Sequence, residues 1–541
     1  MGGAVLSYSR GPEQPLWECT IGQLLDESVD RFGDQLALVS CHQSRRYSWR
    51  ELRDAADAVA GGLTSLGVQR GDRVGLWSTN CAEWVIVHFA CARAGAALVN
   101  VNPAYRTHEL AFALRKSRMK VLFLWESDAR ANYRELLAEA CSGQKFCLEH
   151  VIFFGSPAWD ALFSADAQCC DSIENGDVAN IQYTSGTTGM PKGVMLTHRN
   201  QVNNGKLLAA GMRFTERDRI CVPVPMYHCF GCVIGTMSAL ASGAVIVLPN
   251  WTFDARATLS AVQAERATAL YGVPAMFIAE LGLPDFASYD LSSLRTGMMA
   301  GAPCPIEIMK RVIWEMHCPE LTIGYGQTES SPVVTMSAPD DPLAIRVSTI
   351  GKALPCTEMK VASVLDGETI PAGETGEVCA RGYMVMKGYD DDPGATSRAV
   401  DGEGWLHTGD LGFMREDGYF HLTGRAKDMI IRGGENIYPR EVEEFLYTHP
   451  KVAEVQVVGI PDPRLGEIVV AWIRVQPGQF ATEQEIREFC DGKIAYFKVP
   501  ESVRFVEQFP MTVTGKIQKF RIREIETRER GIGPEATPKT A

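Results

Sequence analysis

The 541-residue sequence has no excess of positive charge: 53 Lys and Arg stand against 66 Asp and Glu, a formal net charge of −13. Proteins that wrap nucleic acid need a positive field along the phosphate path, so that class is excluded and no nucleic-acid partner is expected. Cysteine is thin for a disulfide scaffold, 16 scattered residues in all, so reduced thiols and a cytoplasmic location are expected. The C-x-x-C at Cys229 to Cys232 lacks the second pair or histidines that a zinc site needs, and reads as ordinary packing. Long hydrophobic runs are missing too. The most apolar stretch, "WVIVHFACARAGAALVNVNP", is interrupted by His88 and Arg93, so no transmembrane segment is expected. The amino terminus shows no basic-then-apolar signal pattern, and Leu6 occupies the place where a myristoylation motif needs Ser or Thr. No G-x-S-x-G occurs, which disfavours a serine hydrolase.

What the sequence does have is length and apolar content, 46%, enough for several cores. Runs rich in β-branched and other apolar residues such as "RVGLW", "VLFLW", "AVIVLP" and "VQVVGI" alternate with helical patterns such as "WRELRDAADAVAGGLTSLG". That alternation predicts an α/β fold of layered sheets and helices. Charge divides the chain in two. The part from Lys427 onward is nearly neutral, with its cations gathered in "KDMIIRGG" and "KIQKFRIR", and the larger part carries the acidity.

The stretch "YTSGTTGMPKG" places Thr184, Ser185, Gly186, Thr187, Thr188 and Gly189 in a loop after a predicted strand end at residues 181–183. Glycines there permit positive φ and turn backbone N–H groups toward one anion, which is phosphate-cradle chemistry. It is not a P-loop, because Lys192 comes three residues after Gly189 and is followed by Gly193. Taken alone, the loop reads equally well as an unliganded hairpin tip.

Its company changes that. Together with "PMYHCFG" (225–231), "MAGAP" (299–303), "GYGQTESSP" (324–332), "GEVCARG" (376–382), "WLHTGDLG" (405–412), "GRAKDMIIRGGENIYPREVE" (424–443) and "TVTGKIQK" (512–519), the loop resembles the ordered signature set of the adenylate-forming acyl-CoA synthetase superfamily. "LYGVPAMF", "PDFASYD" and "GKIQKFRIRE" are most similar to its medium-chain type, acyl-CoA synthetase family member two. The resemblance implies a large AMP-binding domain over residues 1–426 and a small, mobile α+β lid over 427–541, hinged at Lys427. It implies ATP, Mg²⁺ and CoA as cofactor and cosubstrates, a fatty acid as the small-molecule partner, and a reaction through an acyl-adenylate.

Residue roles follow from the same resemblance. Residues 184–189 and Lys192 would hold the triphosphate, Thr328 would touch the α-phosphate, and Glu329 would hold the metal, a single carboxylate suiting Mg²⁺ because that ion keeps most of its waters. Gly301, Ala302 and Pro303 would meet the adenine edge and Tyr325 its face, while Asp410 with Arg425 would take the ribose hydroxyls. His228 would orient the substrate carboxylate as a neutral donor rather than act as a base, since a carboxylate nucleophile has no proton to lose. His228, Cys229, Phe230, Met298, Met299 and Gly326 would wall the acyl pocket. Lys516 would be the lid's cation in the first half-reaction, and Gly433 and Gly434 would open the pantetheine path in the second. Rival readings are a fatty acyl-AMP ligase loading a carrier protein, a ligase for aryl or short acids, and a non-catalytic adenylate binder; the last would be expected to lose Lys516, Glu329 or Asp410, and all three are present.

Overall fold

A computed structural model describes residues 5–164, 172–184, 191–512 and 516–532. Ser185, Gly186, Thr187, Thr188 and Gly189 lie outside the described residues. Among the described residues the strands form four sheets. In the first, Ala97–Val101, Arg73–Trp77, Val121–Leu124 and His150–Phe153 run parallel, with Val178–Thr184 parallel beside Ala97–Val101. The strand "VLFL" is buried at every position, as a parallel strand covered on both faces must be. A second, nine-stranded sheet carries the parallel run Ala269–Gly272, Thr296–Ala300 and Glu320–Gly326. A third, antiparallel sheet ends in Leu406–Met414 paired with Phe420–Arg425.

Helix Ala82–Ala94 explains the longest apolar stretch. All but one of its residues are buried, so it is a core helix of the α/β layers, and it leads through a left-handed Gly95 into the buried strand Ala97–Val101. No helix among the described residues is long and apolar enough to cross a membrane. The described cysteines are free.

Sheet membership changes at the short turn Ala426–Asp428. The preceding strand Phe420–Arg425 belongs to the third sheet, and the following strand Ile430–Arg432 belongs to a fourth made with Glu435–Ile437, Gly466–Val475, Val452–Asp462 and Ser502–Phe505. This carboxy-terminal unit has its own apolar clusters, one around Val455, Val469 and Ile486 and another around Ile460, Trp472 and Ile522. The α/β expectation and the large-plus-small organisation both agree with this architecture.

Candidate active site

Three parallel strands from two sheets deliver the site. Val178–Thr184 ends at the phosphate-loop sequence, Thr296–Ala300 at Gly301, and Glu320–Gly326 just before Thr328 and Glu329. Ligands of open α/β sheets bind outside such carboxyl ends. Val178–Thr184 pairs antiparallel with Lys192–Thr197, and Thr184 stands opposite Lys192.

Glu329 sits in the single turn Thr328–Ser330. Its Oε1 accepts from Tyr389 Oη at 2.9 Å and lies 3.5 Å from Thr184 Oγ1. Tyr389 also carries Lys192 Nζ over its ring, 4.9 Å from the centroid, so one aromatic side chain joins two predicted phosphate-end residues. Tyr389 was missing from the sequence expectations. It arrives because Gly388–Tyr389 pairs with the outer edge of Lys192–Thr197, a contact across nearly 200 residues for which "GYDDDP" gives no local signal.

Gly326, before this turn, has no room for a side chain, since a Cβ there would stand 1.8 Å from the Pro332 carbonyl oxygen. Tyr325 is buried and donates its hydroxyl to Asp410 Oδ2 at 2.8 Å, while Arg425 Nε stands 3.0 Å from Oδ1. Asp410 and Arg425 are direct cross-strand partners, the antiparallel geometry that favours opposite charges. Burial pushes the Asp410 carboxyl up and Arg425 opposes that shift; the same pairing raises the Arg425 guanidinium.

His228 Nδ1 accepts from the Phe230 backbone N–H at 3.2 Å, which leaves the proton on Nε2 and makes that nitrogen the donor. Burial, assisted by the nearby Lys516 charge, pulls the imidazole down to about 3, so it is neutral at physiological pH. Cys229 Sγ lies 3.6 Å from Thr328 Oγ1, and burial pushes its thiol up to about 11. Cys232 Sγ accepts from Gln182 Nε2 at 3.2 Å and faces Asn100 Nδ2 at 3.6 Å. The C-x-x-C is thus satisfied by packing and amide donors.

Lys516 crosses from the carboxy-terminal unit into this centre. A Cβ on Gly301 would lie 3.6 Å from its Cε. Burial lowers the ammonium, and Cys229, Glu329 and Asp410 pull the other way. The structure therefore assembles His228, Thr328, Glu329, Tyr325, Asp410 and Arg425 with Lys516 in one centre, though they span 289 positions from first to last.

The two methionines expected in the acyl pocket are split between two faces. Strand alternation sends Met298 and Met299 to opposite faces: Met298 joins the cluster that holds Phe230 and Tyr271, and Met299 joins the one that holds Cys304, Ile308 and Met309. Both are fully buried, each in its own core cluster. Gly433 and Gly434 form the tip of the hairpin between Ile430–Arg432 and Glu435–Ile437, with φ of 61° and 88°, the left-handed pair that a two-residue turn demands. Gly434 faces open space, with nothing within 4 Å of where a Cβ would be. Lys427 is exposed in the connecting turn.

Parallel strands ending in a phosphate-type loop, a carboxylate beside hydroxyls, a buried acidic ribose-type acceptor and a cation supplied by a second unit define a nucleotide-activating enzyme of the adenylate-forming kind. Residues 25–390 match the model of the AMP-binding enzyme family, and residues 441–516 match that of the AMP-binding enzyme C-terminal domain. The chain belongs to the AMP-binding enzyme family. It is 46% identical over 531 residues to a protein named putative acyl-CoA synthetase YngI of Bacillus subtilis, covering 93% of this chain and 96% of the relative. It is 40% identical over 550 residues to the medium-chain acyl-CoA ligase ACSF2, mitochondrial, of Mus musculus, covering 96% and 89%. Among solved structures, the anthranilate CoA ligase AuaEII in complex with anthranoyl-AMP superposes with a TM-score of 0.88 at 28% identity, covering 96% of this chain and 99% of that one.

Proposed function

We propose that this enzyme is an ATP-dependent fatty acid–CoA ligase. The observation that carries the reading is the convergence of Glu329, His228 and the Asp410–Arg425 pair on Lys516, which the carboxy-terminal unit supplies. In the first half-reaction a carboxylate oxygen of the acid bonds to the α-phosphorus of ATP, and pyrophosphate leaves. In the second, the CoA sulfur bonds to the acyl carbon, AMP leaves with its oxygen, and the thiol proton passes to solvent.

Each residue has a task that its surroundings permit. His228, neutral with Nε2–H free of the Phe230 contact, donates to the substrate carboxylate and orients it. Lys516 offsets charge that develops on the α-phosphate, and Thr328 adds a hydroxyl there. Asp410 accepts from the ribose hydroxyls, the adenine lies against Tyr325 with Gly301, Ala302 and Pro303 at its edge, and Lys192 with residues 184–189 holds the triphosphate end. The Glu329 carboxylate and Thr184 hydroxyl are hard oxygen donors and fit Mg²⁺. Bound there, Mg²⁺ would neutralise phosphate charge.

The domain boundary falls at 426/427, supported by the change of sheet at Ala426–Asp428. The lid turns about Lys427 between half-reactions, withdrawing Lys516 and bringing Gly433 and Gly434 to the pantetheine path. The acid is a medium-chain fatty acid: the relative named for that activity supports it. Likeness to the anthranilate CoA ligase favours an aryl acid as the second reading. A cytoplasmic location is supported by the free thiols.

Pyrophosphate release measured over acetate through palmitate, with benzoate and anthranilate, tests the substrate. Each methylene adds up to about 0.8 kcal/mol, so kcat/KM should climb over several carbons and then fall where the pocket closes. A peak at acetate or at an aromatic acid rejects the medium-chain reading. Product analysis with CoA and with a phosphopantetheinyl carrier protein separates the ligase from the acyl-AMP alternative.

A further inference from the structure

The lid touches the large domain at a point that the reaction chemistry does not require. Helix Ile306–Glu315 begins directly after the stretch 301–303, and its N-cap residue is Pro305, which has no side-chain acceptor to offer. The first N–H groups of a helix have no partner within it and need one from elsewhere. For Ile306 that partner comes from the lid: its N–H donates to Glu444 Oε2 at 3.3 Å. Glu444 lies on the lid helix Pro439–Tyr447, one turn after Arg440, whose Nε is 3.7 Å from Oε1. Both side chains are largely shielded, 13% exposed for Arg440 and 23% for Glu444. A carboxylate at this end also meets the positive end of the ten-residue helix.

The same short segment meets the lid twice, because Lys516 Cε stands beside Gly301, five residues before Ile306. The adenine-side loop is thereby held between two lid contacts, one polar cap and one cation. We propose that Glu444 is a positioning residue that caps helix Ile306–Glu315 across the domain boundary and so holds the lid in the pose that presents Lys516 to the first half-reaction. The inference rests on the rotating-lid reading given above and adds to it the contact that fixes one of the two poses. When the lid turns, the cap breaks and Ile306 N–H passes to water. Glu444 thus acts through Lys516 and touches no reacting atom.

Hydrogen–deuterium exchange of residues 301–312 in the full-length enzyme, with separate assays of the two half-reactions, tests this on Glu444→Ala and Glu444→Gln. Loss of a side-chain cap should speed exchange at the first turn by roughly three- to tenfold in Glu444→Ala. Acyl-adenylate formation should fall by a similar factor, and thioester formation from supplied acyl-adenylate should be unchanged or faster. The glutamine amide oxygen can still accept from Ile306, so Glu444→Gln should recover most of both effects. Unchanged exchange at 306–309, or equal losses in the two half-reactions, would overturn the proposal. Failure of the lid reading has a different signature: Lys516→Ala would slow both half-reactions alike while Glu444→Ala still quickened exchange, which leaves the cap in place and removes its positioning role.

Discussion

Replacing Asp410 by asparagine separates a nucleotide-binding role from a bracing one. The Asp410 side chain is 9% exposed, and its carboxylate takes bonds from Tyr325 Oη at 2.8 Å and Arg425 Nε at 3.0 Å. Asparagine keeps the shape and can still accept from Tyr325, but its amide N–H groups then face the Arg425 guanidinium, donor against donor. Breaking a fully buried ion pair costs about 3–5 kcal/mol. Here the Arg425 side chain is 53% exposed, so water takes up its charge and the stability cost should be roughly 1 kcal/mol, or no more than about 2 °C in Tm for a chain of this size. Binding suffers more. Hydrogen bonds to a charged acceptor contribute about 1.5–3 kcal/mol, so losing the ribose acceptor should raise the KM for ATP roughly 10- to 150-fold. Acid-dependent ATP–pyrophosphate exchange reads the change in KM and thermal unfolding the change in stability. A KM within twofold of the parent together with a Tm drop above roughly 5 °C would show that Asp410 braces the Leu406–Met414 and Phe420–Arg425 strands and does not bind ribose.

Three further outcomes are expected. Tyr389→Phe keeps the ring beneath Lys192 and removes the bond to Glu329, so the Mg²⁺ dependence of adenylation should weaken by roughly three- to tenfold, a neutral hydrogen bond's worth, with thioester formation from acyl-adenylate unaffected. Gly434→Leu puts a bulky side chain on a backbone with φ of 88° at the tip of the lid hairpin; CoA transfer should fall at least about tenfold while pyrophosphate release changes little, the strain of roughly 1–2 kcal/mol being confined to the turn. Because burial lowers the Lys516 ammonium, the cation needed for adenylation is lost as pH rises toward a value below the ordinary 10.5; kcat/KM for ATP should show that alkaline limb, Lys516→Arg should abolish it, and no limb should appear between about pH 5 and 7 from His228, which stays neutral down to about 3.

Much of the site could be read in the sequence because its chemistry is carried by short strand-to-loop segments. Thr184, Gly301, Thr328 and Glu329 fall where hydrophobic strand patterns end in glycine-rich turns, and strand ends are where an α/β sheet places its ligands. The neutral state of His228 and the satisfied C-x-x-C also agree with the sequence reading. What could not be read depends on pairing between distant strands or between units. Tyr389 reaches Glu329 only through an edge strand, and Glu444 reaches Ile306 only across the domain boundary. Met299 is a different case, since the period of two along Thr296–Ala300 already separates it from Met298; a pocket cannot take both from one strand.

The account's central claim is that one site serves two half-reactions by exchanging lid contacts, and Lys516→Ala tests it most directly. Acyl-adenylate formation is followed by pyrophosphate release, and thioester formation is followed from synthetic acyl-adenylate and CoA on the same preparation. The account predicts that the first falls by roughly two to three orders of magnitude, as for removal of a charge-stabilising donor at a developing oxyanion, while the second stays within about twofold. Equal losses in both, or an adenylation rate near that of the parent, would contradict it.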